Sequence, residues 1–172
     1  RARETAGAPG GALIMSDFTD NPGHGGYGDG VRLLGALIEA NLNNVAFGCV
    51  ADPAAVEQCR AAGMGAQLTL QLGAKEDPVI YGQPLTVTGV VERLGDGHYT
   101  CAGPMMTGLP LYLGNTAILR INGVRVLISS VNVQSFDRQV FISQGIDPST
   151  CDVLVVKSAH HFRGSFGQYA RE

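Results

Sequence analysis

The residues with the clearest potential for chemistry lie between Ser16 and Gly30, in a polar, glycine-rich segment. This segment follows a short apolar run, Ala12 to Met15, which is long enough for one buried strand. Its polar side chains include those of Asp17, Asp20, Asn21, His24 and Asp29. In open α/β sheets, ligands usually bind in loops at the carboxyl ends of strands. We therefore expect this segment to contact a ligand and the rest of the chain to position it.

A dinucleotide site is one alternative for the same segment, because Gly23 to Gly28 matches the pattern G-x-G-x-x-G and Asp52 follows the next predicted strand. That fingerprint, however, begins directly at a strand end, whereas Asp17 and Asp20 intervene here. A carboxylate about 4 Å from a pyrophosphate costs on the order of 4 kcal/mol at an effective dielectric constant near 20. No nearby Lys or Arg offsets this repulsion. A nucleotide-binding, Rossmann-like domain is therefore the weaker alternative.

A helical pattern follows the loop, with apolar residues on one face from Val31 to Ile38. We expect this helix to begin near Asp29, whose carboxylate can cap the free N–H groups of the first turn. Capping alone would explain Asp29. The carboxylates of Asp17 and Asp20 and the amide of Asn21 could likewise cap only their own backbone, but for these three residues together we favour ligand binding.

A second polar cluster follows the predicted buried strand Asp152 to Val156 and contains Lys157, His160 and His161. If this strand is parallel to the first one, the cluster lies at the same edge of the sheet as the Ser16–Gly30 loop. Adjacent histidines on a strand point to opposite faces and seldom chelate one metal ion together. A hydrogen bond from one histidine to a substrate is therefore favoured over a zinc ligand, and Lys157 and His161 join the candidate substrate-binding residues.

The elements that must position these residues begin as alternating strands and helices. After the first helix, Asn44 to Val50 is a predicted strand, and a helix is expected from Asp52-Pro53 to a stop at Gly63. Another helix is predicted from Ser135 to Gln144, before the last strand. Such alternation is typical of a parallel sheet with crossover helices.

The middle of the chain alternates polar and apolar residues and predicts antiparallel strands. The predicted strands are Gln67–Leu72, Leu85–Val91, His98–Cys101, Thr116–Ile121 and Val124–Ser130. Asn122-Gly123 is a strong hairpin signal, and His98–Cys101 is expected to return after a turn at Gly95–Gly97. The predicted fold class is α/β, with a mostly parallel sheet, crossover helices and an inserted antiparallel β section with hairpins.

Composition narrows the classes of partner. The chain has 172 residues and a formal net charge of −3, with no cluster of Lys or Arg, which argues against nucleic acid or an anionic membrane surface as a partner. No apolar run approaches the roughly 20 residues of a membrane span. None of the four cysteines forms a C-x-x-C pair, so we expect buried free thiols and a reducing, cytoplasmic location.

Several segments together resemble the C-terminal domain of the microcystinase C (MlrC-type) zinc metallopeptidases. The most specific are SDFTDNPGHGGYGDG at Ser16–Gly30, GIDP at Gly145–Pro148 and VVKSAHHFRGSF at Val155–Phe166. Weaker matches occur at Ala51–Val56, Leu70–Lys75 and Gly103–Met105. His24 and Tyr27 depart from the residues usual in the family, and the resemblance extends from about Ala12 to the end of the chain.

The resemblance implies one part of a two-domain hydrolase that acts on a small peptide or amide. An upstream α/β domain of the same polypeptide would hold the zinc, with no metal ligand in this chain, and Arg1 in place of an initiator Met fits such a fragment. Residues 1–11 would be the linker and residues 12–172 the C-terminal domain. That domain would form the substrate-binding wall of the active-site cleft and be inactive alone, with the catalytic residues unassigned. A non-catalytic binding module is a further alternative.

Overall fold

A seven-stranded mixed sheet forms the centre of the computed structural model, which describes residues 2–5 and 10–171. The strands are β1 Leu13–Ser16, β2 Val45–Ala51, β3 Gln67–Leu72, β4 Leu85–Gly95, β5 His98–Thr100, β6 Pro110–Tyr112, β7 Thr116–Ile121, β8 Val124–Ser129 and β9 Val153–Val156. Their order in the sheet is β1-β9-β2-β8-β7-β4-β3. The first four are parallel and the last three extend the sheet in antiparallel fashion, while β5 and β6 form a separate antiparallel pair. The predicted α/β fold class is therefore confirmed.

Helices cover both faces of the sheet. They are α1 Ala2–Thr5, α2 Arg32–Glu39, α3 Pro53–Ala62, α4 Pro78–Tyr81, α5 Gln139–Ile142 and α6 Arg163–Phe166. The apolar residues of α2 and α3 pack with Val45 and Phe47 of β2, whereas those of α5 and α6 pack with Ala46 on the opposite face. Since successive side chains of a strand point to opposite faces, β2 contributes to both cores, and all seven of its residues except Ala51 are buried.

Several local predictions are confirmed at residue level. The Asp52 carboxylate accepts a hydrogen bond from the Ala55 N–H at 3.0 Å and caps α3, which stops at Gly63, where φ is 84°. The β7–β8 hairpin pairs Ile121 with Val124 across Asn122-Gly123. These features depend on residues close in sequence, and such signals can be recognised without knowing the tertiary structure.

The predicted helix Ser135–Gln144 was wrong in extent, since only α5 is helical. The Ser135 hydroxyl donates to the Gly48 carbonyl and accepts from the Cys49 N–H, both at 2.9 Å, and so ties this segment to β2. The buried Asp137 carboxylate accepts hydrogen bonds from three backbone N–H groups. Side-chain bonds to distant backbone therefore replace the first turns of the predicted helix.

The strand predicted at His98–Cys101 was also wrong in its partner. It does not return along β4, which continues to Gly95 beside β7. Instead β5 pairs with β6, with His98 opposite Tyr112 and their rings stacked at 4.5 Å. In the predicted linker 1–11, Ala2–Thr5 form one helical turn and Ala2 packs against the core, while residues 1 and 6–9 lie outside the described residues.

All four cysteines, Cys49, Cys59, Cys101 and Cys151, are buried and free, as predicted. Burial raises the pKa of Cys49 to about 12, and burial together with the Asp52 charge raises that of Cys59 to about 11. Because the thiolate is the reactive form, we expect alkylation by iodoacetamide at pH 8 to be at least about tenfold slower in the native protein than in urea. Mass spectrometry of quenched samples measures both rates, and rapid native labelling of Cys49 would contradict this expectation.

None of the helices in the described ranges is long and apolar enough to cross a membrane.

Candidate functional site

The loops that follow the four parallel strands meet at one edge of the sheet, which we call the carboxyl edge. Ser16 of β1 and Gly48 of β2 both lie beside Val156 of β9, so the segments that follow these strands are neighbours. This brings the predicted loop Ser16–Gly30 next to Lys157. The two polar clusters that the sequence places at opposite ends of the chain are therefore one cluster in the structure.

Lys157 lies at the centre of this cluster and binds its carboxylates. Its side chain is fully buried, and its ammonium Nζ donates to Asp17 Oδ2 and Asp20 Oδ2 at 2.7 Å each and to the Gly30 carbonyl at 2.8 Å. An ammonium has three N–H donors, and these contacts use all of them. Lys157 thus holds both ends of the Ser16–Gly30 loop against β9 and has no donor left for a ligand.

Asp20 binds the backbone of its own loop. It is 1% exposed, and its carboxylate accepts from the Gly28 N–H at 2.8 Å and the Gly30 N–H at 2.7 Å in addition to Lys157. Burial alone would raise the pKa of Asp20, but the Lys157 charge and these N–H groups outweigh it, so the pKa lies below its ordinary value. Asp20 is therefore an ionised, internal support of the loop.

Asn21 shapes the turn that follows. Its side-chain oxygen accepts from the Gly23 N–H at 3.0 Å and caps a 3₁₀ turn, Pro22–His24. A Cβ at Gly26 would lie 2.8 Å from the Asn21 backbone nitrogen, so only glycine fits there. His24 is exposed at the tip of this turn. The His24 imidazole is therefore exposed on a turn whose backbone is held by the side chain of Asn21.

Asp29 does not cap α2, contrary to the prediction. Helix α2 begins at Arg32, so its N-cap residue is Val31. The Val31 side chain forms no capping hydrogen bond within the described residues. The Asp29 carboxylate instead accepts from the backbone N–H groups of Lys75 at 2.7 Å and Glu76 at 3.0 Å. Asp29 therefore joins the first loop to the segment after β3.

Asp52, directly after β2, supports the same segment. Besides capping α3, it accepts from the Gly73 N–H at 2.9 Å and from Lys75 Nζ at 2.8 and 2.7 Å. Sequence reasoning did not select Lys75, although it ends the segment Leu70–Lys75 that carried part of the resemblance. Since Asp52 is 2% exposed and engaged within the chain, it cannot serve the ribose of a dinucleotide.

The Ser16–Gly30 loop also contacts the segment that follows β8. Asn132 Nδ2 donates to the Gly26 carbonyl at 2.9 Å, and Gln134 Nε2 donates to Ser158 Oγ at 2.9 Å. Gln134 Nε2 also lies 3.3 Å from Nδ1 of His161, whose side chain is exposed. Sequence reasoning missed Asn132 and Gln134, because amide residues beyond a strand carry no distinctive local signal.

A cleft of about 310 Å³ opens between the Ser16–Gly30 loop, α2 and α4. It is lined by Asp17, Thr19, Asp20, Gly30, Arg32, Leu33, Ile80 and Tyr81. Burial and the Asp20 carboxylate raise the pKa of Tyr81 to about 12. Asp17 and Asp20 line this cleft and both bind the buried Lys157, whereas His161 is not among the lining residues. The cleft can offer a ligand both charged and apolar contacts.

The carboxylates at this edge do not fit a zinc site. Asp17 and Asp20 converge on the Lys157 ammonium, and the remaining Asp17 oxygen accepts from the Thr19 hydroxyl at 3.2 Å. A cation is thus already present where these carboxylates meet. Across residues 2–5 and 10–171, no group of three or more His, Cys, Asp or Glu side chains is arranged to hold a metal ion.

Comparison with known proteins identifies the family. Residues 15–172 match the family described as MlrC C-terminus. The chain belongs to this family. It is 29% identical over 159 residues to microcystinase C of Sphingomonas sp., a match that covers 92% of this chain and 30% of that relative. The sequence-based resemblance is therefore confirmed.

A solved structure agrees with this assignment. The crystal structure of a candidate metallopeptidase from Mesorhizobium sp. BNC1, at 2.13 Å resolution, superposes with a TM-score of 0.89 at 25% sequence identity. The superposition covers 99% of this chain and 34% of the other one. The chain thus spans about a third of the length of the relatives that it matches, and the relative from Mesorhizobium is named as a metallopeptidase.

Proposed function

We propose that residues 12–172 are the C-terminal domain of a zinc-dependent peptidase or amidohydrolase and form the substrate-binding wall of its active-site cleft. The observation that carries this proposal is the rigid Ser16–Gly30 loop, which Lys157 holds against the sheet and which lines the 310 Å³ cleft. A preformed polar loop beside a half-apolar cavity is the usual setting of a small-ligand site. Family membership supports the reaction class.

Within this proposal the candidate residues have two kinds of role. Asp17, the more accessible of the two cleft carboxylates with 11% of its side chain exposed, contacts the substrate inside the cleft. The exposed His24 and His161 do not line the cleft, and they contact the part of the substrate that extends beyond it along the carboxyl edge. Asp20, Asn21, Asp29 and Lys157 are positioning residues, because their side chains are buried and bind the backbone or one another. The zinc ion and the catalytic residues belong to an upstream domain of the same polypeptide, joined through residues 1–11, and the isolated chain is inactive.

The full-length enzyme tests these roles. We expect Asp17→Ala, His24→Ala and His161→Ala each to lower kcat/KM for a small peptide substrate, by about tenfold or more where a hydrogen bond to the substrate is lost, with zinc content unchanged. Steady-state kinetics and metal analysis of the same preparations provide the measurement.

Matched controls are available outside the carboxyl edge. His98→Ala removes an exposed imidazole on the separate β5–β6 sheet, and Asp96→Ala removes an exposed carboxylate near it. Both should leave kcat/KM unchanged. Wild-type kinetics for all three carboxyl-edge variants would remove the proposed substrate wall, and a loss of zinc in them would place metal ligands in this chain.

Nothing in the geometry favours the nucleotide-binding alternative, because Asp52 is buried and engaged. A non-catalytic binding module is the second alternative. Adding the upstream polypeptide to this chain distinguishes the two, because hydrolysis is restored only if this chain is the substrate-binding domain of the enzyme.

For location, we propose a reducing, cytoplasmic compartment, and the four buried free thiols support it. The small substrate and the absence of a basic cluster in the sequence support a partner that is neither nucleic acid nor membrane.

A further inference from the structure

Four large apolar side chains are exposed around the mouth of the 310 Å³ cleft. Phe18 is 66% exposed, Val79 91%, Ile80 57% and Tyr27 44%. We call these four residues the apolar rim. Single exposed apolar residues are ordinary on a protein surface, but a group around one cleft marks an interaction site.

A contact or a neighbouring position in the chain connects each rim residue with the cleft, and Val79 directly precedes Ile80. Phe18 lies between Asp17 and Thr19, which both line the cleft, and Ile80 lines it directly. Tyr27 packs edge-to-face on the cleft residue Tyr81, with ring centroids 6.1 Å apart. The rim therefore joins the start of the Ser16–Gly30 loop, its far end and α4 into one surface.

The fold does not need these side chains for its own stability. Helix α4 is a single turn, and the Asp77 carboxylate holds it by accepting from the N–H groups of Val79 at 3.0 Å and Ile80 at 3.1 Å. The cap supplies the local order, while the two side chains point outward. Burying a Val or Ile side chain stabilises a protein, but in this chain alone both side chains stay exposed to water.

Arg32 adds a charge to the same surface. It lines the cleft beside Ile80, its side chain is exposed, and its guanidinium lies near Gly82, where a Cβ would be 3.3 Å from Nη2. Among residues 2–5 and 10–171, this guanidinium forms no ion pair with a carboxylate. A partner that covers the rim can therefore gain an ion pair by placing a carboxylate opposite Arg32.

We propose that the apolar rim and Arg32 dock onto the upstream polypeptide of the full-length protein, at an apolar face that carries a carboxylate opposite Arg32. This inference rests on the proposed function for the existence of that polypeptide. The occupant is indicated by the relatives, since about two thirds of each lies outside its match to this chain. Docking at the rim converts the open cleft into a cavity between two domains, where ligand sites are common.

Hydrogen exchange of the full-length protein and of this chain alone tests the surface. We expect the backbone amides of residues 79–82 to exchange at least about tenfold more slowly in the full-length protein. Residues 64–66 provide the internal control, because Met64 is 68% exposed but lies far from the rim in the α3–β3 connection. Their exchange should be the same in both forms.

Variants of the full-length protein complete the test. Val79→Ser/Ile80→Ser and Arg32→Glu should each restore faster exchange at residues 79–82, whereas Met64→Ser should not. All the substituted side chains are exposed, so circular dichroism melting of the isolated chain should remain unchanged. Equal exchange in the two forms, or protection that Val79→Ser/Ile80→Ser leaves intact, would overturn the proposal.

Two further outcomes separate this inference from neighbouring ones. If the isolated chain forms a concentration-dependent dimer that protects residues 79–82, a second copy occupies the rim and the proposal is wrong. If protection in the full-length protein is found but zinc-dependent hydrolysis of small peptides is not, the docking surface stands and the proposed function fails.

Discussion

Replacing Lys157 with methionine is expected to lower the free energy of unfolding by about 3–5 kcal/mol, the cost of breaking a buried ion pair by removing one partner. Methionine fills a similar volume but leaves the carboxylates of Asp17 and Asp20 facing each other without a cation. The Gly30 carbonyl also loses its donor. Because domains of this size are stable by only about 5–15 kcal/mol, this change removes a large share of the total.

Urea denaturation at pH 7 measures this effect, and a surface ion pair supplies the matched control. Arg120 donates to Glu92 at 2.6 Å, but 46% and 33% of their side chains are exposed. Arg120→Met should therefore cost less than about 1 kcal/mol. A loss for Lys157→Met no larger than that for Arg120→Met would show that the buried cluster does not hold the loop.

Asp20→Asn is expected to lower the free energy of unfolding by about 3 kcal/mol at pH 7. The substitution removes a charge that pairs with Lys157, and it turns an amide donor toward groups that are themselves donors, the Nζ of Lys157 and the N–H groups of Gly28 and Gly30. Because Asp20 is only 1% exposed, bulk solvent does not reach those donors to replace the carboxylate.

The same variant should change the response to acid. The pKa of Asp20 is lower in the folded protein than its ordinary value of 3.8, so the folded state favours the ionised form. The stabilisation is therefore complete above about pH 4 and is lost as the pH falls through the folded pKa. Asp20→Asn should make the curve of stability against pH less steep below pH 4.

Urea titrations between pH 2.5 and pH 7 would test this expectation, using Glu92→Gln, an exposed carboxylate, as the control. The control should follow the wild-type curve closely at every pH. An Asp20→Asn curve that runs parallel to the wild type below pH 4 would show that Asp20 contributes no linked proton binding.

Sequence reasoning succeeded where a signal depends on residues close together in the chain. The alternation of strands and helices predicted the parallel part of the sheet, Asp52-Pro53 predicted the start of α3, and Asn122-Gly123 predicted the β7–β8 hairpin. It failed at Asp29, which has the residue type of an N-cap but binds the backbone of Lys75 and Glu76 instead. The same residue type serves both purposes, so type alone could not distinguish them.

The amino-acid sequence by itself determined the α/β class, the polar loop at Ser16–Gly30 and the family. Only the tertiary structure showed that the loop carboxylates, which have no cation near them in sequence, share Lys157 from 137 and 140 residues away. The order of strands in the sheet decides that contact, because β9 lies next to β1 although seven strands lie between them in the chain. Local patterns encode elements, whereas the burial of a charge depends on which elements become neighbours.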